Sequence, residues 1–202
     1  MRRRVITVNL IQTILHGTKL RQENLFLASL HCDPLDQKLS DKIRWAYRLA
    51  KMGHTDQLRD NGEPYFGHLC GTTGILVNEL GIKEVDLICV SLLHDVWEDA
   101  EESVSLGLIE FLFGRLVVDF VETLSKPKRS DLRFSDDRAR HEFYFAQLKR
   151  SDSRVKLLKL CDRLHAVRTF WNCDPSKRGR KMEETRVVYL PLVKDIQKEY
   201  PW

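Results

Sequence analysis

The chain of 202 residues is 43% hydrophobic and 31% charged, a composition that excludes disordered and fibrous proteins. Its formal charge of +4 permits an anionic ligand but is too small for a dedicated nucleic-acid binder, so we expect no nucleic-acid partner. No segment approaches the roughly 20 consecutive apolar residues that a membrane span requires, so we expect no membrane partner.

The N-terminal region and the cysteines bear on location. Residues 1–39 are a weakly specified extension, and their first acid is Glu23, so an Arg-rich organellar presequence stays open. Asn9, Gln12 and the missing small-residue cleavage site argue against a secretory signal. Five cysteines, with no CxxC pair, predict reduced core residues and a cytoplasmic location.

Helical periodicity dominates the remaining chain, and no run shows sustained two-residue alternation, which predicts an all-α protein. Neither internal repeats nor a shift in composition divides this region. We therefore expect one helical bundle over residues 40–196, followed by a short tail over 197–202.

The first predicted helix runs from Ser40, its expected N-cap, to His54. Its apolar stripe should face the core and consists of Ile43, Ala46, Tyr47 and Ala50. A turn at Asn61-Gly62 and the following proline predict a loop over residues 59–68. Helix should resume from about Leu69 to Leu80.

A single apolar helix is predicted over IKEVDLICVSLLHDVWED, residues 82–99. A short helix and a longer one should follow, separated at Gly114, and Pro127 opens an exposed connection. The next helical stretch begins near residue 141, and the sequence does not decide whether it is interrupted near residues 151–153. The core stripe of its second half consists of Leu157, Leu160, Cys161, Leu164 and Val167. A last helix should run from about Pro175 through Tyr189.

Two polar features interrupt this apolar pattern. The stretch SLLHDVWEDA places His94, Asp95, Glu98 and Asp99 at the end of a segment too apolar to be exposed. Carboxylates among core residues cost several kcal/mol unless they are paired or bound to a metal, so a solvated surface explains them poorly. This cluster is therefore a candidate for chemistry.

The second feature is a polar line on the helix beside the Leu157 stripe. Lys159, Asp162, Ala166 and Thr169 follow one another at steps of three, four and three residues, which places them on one helical face. A simple ion pair between Asp162 and its neighbour Arg163 is the alternative interpretation. The two features would form one site only if they converge in space.

Three motifs carry a resemblance to a known family. In order and spacing, GHTDQLRDNGEPYFGHL, LLHDVWEDA and KLCDRLHAVRT resemble the HD-domain alarmone hydrolases of the RelA/SpoT family, including the small stand-alone hydrolases. The segment DPSKRGRKMEETRVVYLPL also looks like the helix that closes this domain in the long members. The likeness covers roughly residues 40 to 195. It implies an HD-domain helical bundle that removes the 3′-diphosphate from the guanine nucleotides ppGpp and pppGpp.

The resemblance also implies a metal centre, with His68, His94, Asp95 and Asp162 as ligands. Two imidazoles and two carboxylates suit Mn²⁺, Fe²⁺ or Zn²⁺ better than the all-oxygen sites of Mg²⁺ or Ca²⁺. The family's usual metal is Mn²⁺, which is the cofactor we expect, with Fe²⁺ and Zn²⁺ as alternatives. A loop histidine without ligand duty is the alternative for His68.

The other site residues follow from the same resemblance. Glu98 and Asp99 match the family's catalytic acid pair, which assists water activation and leaving-group protonation. Arg59 matches an arginine that stacks on the guanine base, which suits its planar cation. Thr169 matches a position near the nucleotide. Lys159 is placed near phosphate, with a solvated or ion-paired role equally open.

Three positions depart from the family pattern. Ala166 replaces an asparagine of the substrate site, Leu69 replaces a proline, and Asp60 follows Arg59 where a basic residue is common. A methyl group cannot make the hydrogen bonds of an amide, and Asp60 would repel a polyanion unless it is turned away. These departures leave open another nucleotide substrate, or an alarmone-binding module with weakened turnover. The oligomeric state is not predicted.

Overall fold

A computed structural model describes residues 20–30, 37–99 and 104–200. Throughout these ranges the regular structure is helical, apart from one isolated antiparallel bridge between Leu58 and Pro64. The predicted all-α class is therefore confirmed. None of the helices in the described ranges is long and apolar enough to cross a bilayer.

The α-helices of the described ranges are, in chain order, α1 Leu20–Ser29, α2 Gln37–Gly53, α3 Phe66–Gly74, α4 Val85–Leu93, α5 Val96–Asp99, α6 Leu106–Phe113, α7 Arg115–Leu124, α8 Asp137–Arg150, α9 Ser153–Arg168, α10 Pro175–Glu184 and α11 Leu190–Ile196. Two π-helical turns, Ile75–Glu79 and Thr185–Tyr189, follow α3 and precede α11. A single 3-10 turn covers Phe170–Asn172.

Helix α4 lies at the centre of the molecule. Every residue from Leu87 to Leu93 is buried, and the helix packs against α2, α3, α7 and α9. A helix that is apolar on all sides can be stable only when neighbours cover every face. The residues directly after α4 are therefore held inside the protein, at the point where α3 and α9 also pass.

Local sequence explains several of the helix ends. Asp136, Asp152 and Asp174 cap α8, α9 and α10, because each side chain accepts a backbone N–H of the first turn. The cap at Asp152 is the interruption left open near residues 151–153. Gly114, with φ of +88°, separates α6 from α7 as predicted, in a conformation that favours glycine.

Some predicted boundaries are wrong. Helix α2 begins at Gln37, so Ser40 is not its N-cap, because the preceding glutamine, lysine and leucine are good helix formers. The predicted loop over 59–68 ends early, since α3 begins at Phe66 just after Pro64, and proline is tolerated at a helix start. The helix predicted over residues 82–99 breaks at a turn formed by His94 and Asp95.

The predicted core stripe of α9 is only partly buried. Leu157 and Cys161 are buried, but Leu164 is 39% exposed. The reason is that Leu164 lines an apolar groove of about 460 Å³ between α9 and the last helix, and this groove is open to solvent.

Cysteine burial differs from site to site. Cys89 and Cys161 are buried free thiols, and burial raises the pKa of each to about 12, so both are inert core residues. Cys70 and Cys173 are also free but only partly buried, so the prediction of a core position is wrong for Cys173. Cys32 lies outside the described residues.

The predicted domain boundaries stay a prediction. Within the extension predicted over residues 1–39, α1 packs on α2, and most of the remaining extension lies outside the described ranges.

Candidate metal centre

The four side chains predicted as metal ligands converge from three parts of the fold. His68 comes from α3, His94 and Asp95 from the turn after α4, and Asp162 from α9. His68 Nε2 lies 3.0 Å from Asp162 Oδ1, and His94 Nε2 lies 3.9 Å from the same oxygen. One donor atom from each of these three residues lies within 4.8 Å of the others.

Asp95 stands at the edge of this group. Its Oδ2 lies 3.1 Å from His94 Nε2 and 4.0 Å from His68 Nε2, and the hydroxyl of Tyr65 donates to it at 2.7 Å. The carboxylate therefore faces both imidazoles while one of its oxygens accepts a hydrogen bond from the neighbouring loop.

A backbone hydrogen bond orients the imidazole ring of His94. His94 Nδ1 lies 2.7 Å from the Ser91 carbonyl oxygen, so Nδ1 carries the donated proton and Nε2 points into the cluster. Nε2 is buried and makes no hydrogen bond of acceptable geometry to any described residue. An imidazole held at one nitrogen by a backbone carbonyl, with the other nitrogen buried beside two carboxylates, has the arrangement of a metal ligand.

The helices that carry the two histidines are joined next to the site. The hydroxyls of Thr73 on α3 and Ser91 on α4 lie 3.0 Å apart, and both residues are buried. Because Ser91 also supplies the carbonyl that holds His94, this contact relates the position of α3 to the orientation of His94.

The charges of the cluster favour a bound cation. Burial alone would raise the pKa of Asp162, but the Lys159 ammonium 2.8 Å away and the bond to His68 hold that pKa well below its usual range. Burial would lower the pKa of His94, but the charges of Asp95 and Asp162 outweigh it and raise the pKa to about 9. The carboxylates that favour a proton on His94 would also favour a metal ion, since protons and metal ions compete for the same ligand atoms.

The acid pair lies at the rim of the cluster on α5. Gln57 Nε2 donates to Asp99 Oδ2 at 3.1 Å, and the backbone N–H of Lys126 donates to Glu98 Oε2 at 3.1 Å. Burial and the nearby charge of Asp95 raise the pKa of Asp99 above its usual range. Asp99 therefore binds a proton more readily than an aspartate in open solvent.

A polar pocket of about 270 Å³ covers the cluster and brings the remaining predicted residues together. Arg59, Ala166 and Thr169 line it, although the Thr169 hydroxyl already donates to backbone oxygens of α9. Lys159 is 5% exposed and pairs with Asp162, so the structure has the ion-paired role that the sequence left open.

Asp60 also lines the pocket, but its charge is matched. It forms an ion pair with Lys177 of α10, which lowers the pKa of Asp60, and the Cys173 thiol lies 3.5 Å from the same carboxylate. The repulsion expected between Asp60 and a polyanion is therefore reduced by its partner.

Sequence reasoning missed two residues that touch the ligands. Tyr65 donates to Asp95, and His165 Nδ1 lies 2.8 Å from His68 Nδ1. Each stands three residues from a predicted ligand in the same motif, so helical spacing was the signal that could have found them. Gly71 makes room for this second histidine, because a Cβ there would lie 2.0 Å from His165 Nε2.

Comparison with known proteins assigns the chain to a family. The family model described as "HD domain" matches residues 46–195 of the 202. The chain belongs to the HD-domain family. This confirms the family resemblance predicted from the three motifs. In this HD domain the doublet His94-Asp95 supplies two of the four candidate ligands.

The HD domain is similar to parts of longer curated proteins. It is 36% identical over 154 residues to the bifunctional (p)ppGpp synthase/hydrolase SpoT of Escherichia coli K12, covering 75% of this chain and 21% of that protein. It is 33% identical over 153 residues to the guanosine-3′,5′-bis(diphosphate) 3′-pyrophosphohydrolase of Aquifex aeolicus, covering 76% and 21%. The chain thus spans about a fifth of the length of these relatives.

One solved structure shares the HD-domain fold over most of its length. It is described as a metazoan ortholog of SpoT that hydrolyzes ppGpp, and it matches with a TM-score of 0.60. The match covers 78% of this chain and 95% of that one, at 24% sequence identity. At this identity the likeness supports the fold.

Proposed function

We propose that this HD domain is a metal-dependent hydrolase of guanosine 3′,5′-bis(diphosphate) and the corresponding pentaphosphate. The reaction releases diphosphate from the 3′ position and leaves GDP or GTP. The observation that carries the proposal is the convergence of His68, His94 and Asp162 beside a carboxyl pair, within a chain related to alarmone hydrolases.

Mn²⁺ is the metal we propose, held by His68, His94, Asp95 and Asp162. The donor set of imidazole nitrogens and carboxylate oxygens fits this ion, and the buried Nε2 of His94, which has no hydrogen-bond partner among the described residues, supports the fit. When bound, the ion supplies Lewis-acid chemistry, because it neutralises phosphate charge and makes water more acidic.

Asp99 and Glu98 handle the protons of the reaction. Water attacks the phosphorus of the 3′-diphosphate, the bond from that phosphorus to the 3′ oxygen breaks, and the 3′ oxygen takes up a proton. Asp99, with its raised pKa, is suited to accept the proton of water and to return one to the 3′ oxygen. Glu98 is held at the same rim by Lys126, so both carboxyl groups face the pocket.

Cations around the pocket suit a nucleotide with two diphosphate groups. Arg59 presents a planar guanidinium suited to stacking on the base, and Lys181 lines the same pocket. Lys126 and Lys177 line it too, each beside the carboxylate with which it pairs. Fixed positive charges near transferring phosphoryl groups stabilise the charge that develops in the transition state.

Ala166 favours a second candidate, an HD phosphohydrolase acting on another nucleotide. This residue lines the pocket where the family carries an amide, so the hydrogen bond that an amide could give to substrate or water is missing. A module that binds alarmone without turnover is the third possibility. A panel of nucleotides assayed with Mn²⁺ distinguishes the three.

The decisive assay follows release of GDP and diphosphate from guanosine tetraphosphate, with and without Mn²⁺. We expect His94→Ala and Asp162→Asn to lose Mn²⁺ binding and at least about 100-fold of the activity, while helical content stays unchanged. Asparagine is chosen at position 162 because alanine would leave Lys159 buried without a polar partner.

His141→Ala and Asp119→Asn, whose side chains do not line the pocket, are the matched controls and should keep the parent rate. Parent-level hydrolysis by either ligand variant would show that the assigned centre is wrong.

A further inference from the structure

A connected set of polar side chains runs behind the acid pair. His54, directly after α2, is 2% exposed, and its Nδ1 is hydrogen-bonded to Gln57 Oε1. The same amide donates through Nε2 to Asp99 Oδ2 at 3.1 Å. A buried imidazole is thus linked through a single amide to a carboxylate of the proposed reaction.

The chemistry of the groups sets the direction of these bonds. An ionised Asp99 can only accept, so the amide of Gln57 must turn its NH₂ toward Asp99 and its oxygen toward His54. His54 must then carry its proton on Nδ1. Its Nε2 is buried and has no hydrogen-bond partner among the described residues, so no other bond competes for this ring orientation.

The imidazole of His54 also contacts Tyr65, which is hydrogen-bonded to a proposed metal ligand. Its ring stacks on Tyr65, with centroids 5.0 Å apart and planes inclined by 22°. The Tyr65 hydroxyl donates to Asp95 Oδ2 at 2.7 Å. His54 is therefore connected to Asp95 through Tyr65 and to Asp99 through Gln57.

Backbone hydrogen bonds hold the segment that connects His54, Gln57 and Tyr65. The N–H of Gln57 donates to the His54 carbonyl at 3.3 Å, and the N–H of Tyr65 donates to the Gln57 carbonyl at 2.8 Å. The ring, the amide and the phenol thus belong to one closed loop, which limits how far the Gln57 side chain can move relative to Asp99.

We propose that Gln57 and His54 are positioning residues of the hydrolase. Gln57 holds Asp99 in the orientation that meets the substrate, and His54 fixes the amide of Gln57 and the ring of Tyr65. This inference rests on the proposed function, since it assigns Asp99 a role in turnover.

A double-mutant cycle on alarmone hydrolysis tests the coupling between Gln57 and Asp99. Gln57→Met keeps the side-chain volume but removes both bonds, and we expect kcat to fall about 10-fold while KM changes less than about 2-fold. In the Asp99→Ala background the same substitution should change kcat less than about 2-fold, because the carboxylate that accepts the Gln57 hydrogen bond is gone. Gln147→Met, on the exposed face of α8, is the matched control.

Equal losses in the two backgrounds would overturn the proposal, since Gln57 would then act independently of Asp99. A rise in KM with unchanged kcat would overturn it as well. His54→Asn, whose amide nitrogen can replace Nδ1 as a donor, should retain more activity than His54→Leu. Equal activity of these two variants would exclude His54 as the support of the amide.

A measurement that does not depend on turnover separates this inference from the proposed function. Nitrogen chemical shifts of the His54 ring in the metal-free protein should show a protonated Nδ1 and a bare Nε2, and this preference should be lost in Gln57→Met. The opposite tautomer, or an unchanged spectrum in the variant, would refute the network. If the parent protein does not hydrolyse alarmone, the proposed function fails, and the ring spectrum still decides whether the network exists.

Discussion

At the scale of single residues, Lys159 carries a buried charge that is neutralised by an ion pair. Its ammonium is almost wholly enclosed, which is tolerable only because Asp162 lies 2.8 Å away. Burial would lower the pKa of Lys159, but the charge of Asp162 raises it well above its usual range. The lysine is therefore a permanent cation beside a proposed ligand, where it keeps the carboxylate ionised.

Ala166 is a residue whose replacement should strengthen the proposed function. It lines the pocket, and an amide at this position could donate to substrate or to water where the methyl group cannot. We expect Ala166→Asn to raise kcat/KM for guanosine tetraphosphate by about 5- to 10-fold, the value of one hydrogen bond. Steady-state kinetics of the variant measure this directly.

An unchanged or lower kcat/KM in Ala166→Asn would indicate that the natural substrate is another nucleotide. Ala166→Leu, which adds volume without hydrogen bonds, is the control and should lower kcat/KM.

At the scale of helices, α1 is joined to α2 by buried charge. Glu23 is fully buried and accepts hydrogen bonds from Arg48 at 2.8 Å and from Arg44. Burial would raise the pKa of Glu23, but bonds from Arg48 and Arg44 outweigh it and lower the pKa below 4.5. The docking of α1 therefore depends on an ionised carboxylate.

Removing that carboxylate should destabilise the protein. We expect Glu23→Ala to lower the free energy of unfolding by about 3 kcal/mol, because two arginines lose a buried partner. Urea titration followed by circular dichroism measures the change. Glu122→Ala, on the exposed side of α7, should stay within about 0.5 kcal/mol of the parent, and an equally small effect at Glu23 would contradict this account.

The same ion pair predicts an acid dependence. Because the folded state lowers the pKa of Glu23, its stabilisation is present above pH 4.5 and is lost as pH falls through the lowered value. The stability of the parent should therefore fall more steeply below pH 4.5 than that of Glu23→Gln. Parallel curves for the two proteins would show that Glu23 is not the group responsible.

At the scale of the whole molecule, the candidate ligands connect the elements that surround α4. His68, the His94-Asp95 turn and Asp162 belong to three packed segments, so a bound ion would tie those segments together. A ligand that binds only the folded state stabilises it by mass action.

Saturation with Mn²⁺ should therefore raise the melting temperature. At a Mn²⁺ concentration 100-fold above the dissociation constant, we expect the free energy of unfolding to rise by about 2.7 kcal/mol. For a chain of this size that corresponds to a rise in melting temperature of about 5–10 °C. Differential scanning fluorimetry with and without Mn²⁺ measures the shift. His94→Ala should show almost no shift in melting temperature. If Mn²⁺ does not change the melting temperature of the parent protein, the proposed ligand set is contradicted.

Much of the fold followed from local pattern. The all-α class, the separation at Gly114 and the buried stripe of α2 depend on periodicity and on residues within a few positions of one another. Boundaries at Ser40 and at residues 59–68 were wrong, because helix propensity and the proline at position 64 compete with the turn signals used to place them.

The sequence by itself determined which residue types the site contains, since the motifs around His68, His94 and Asp162 can be read in order along the chain. Only the tertiary structure decided how those side chains are partnered. The contacts of Lys177 with Asp60, of Gln57 with Asp99 and of His68 with Asp162 join residues 117, 42 and 94 positions apart. Such pairings depend on how helices pack around α4, and helix packing is set by side-chain shape across the whole core, which no short motif encodes.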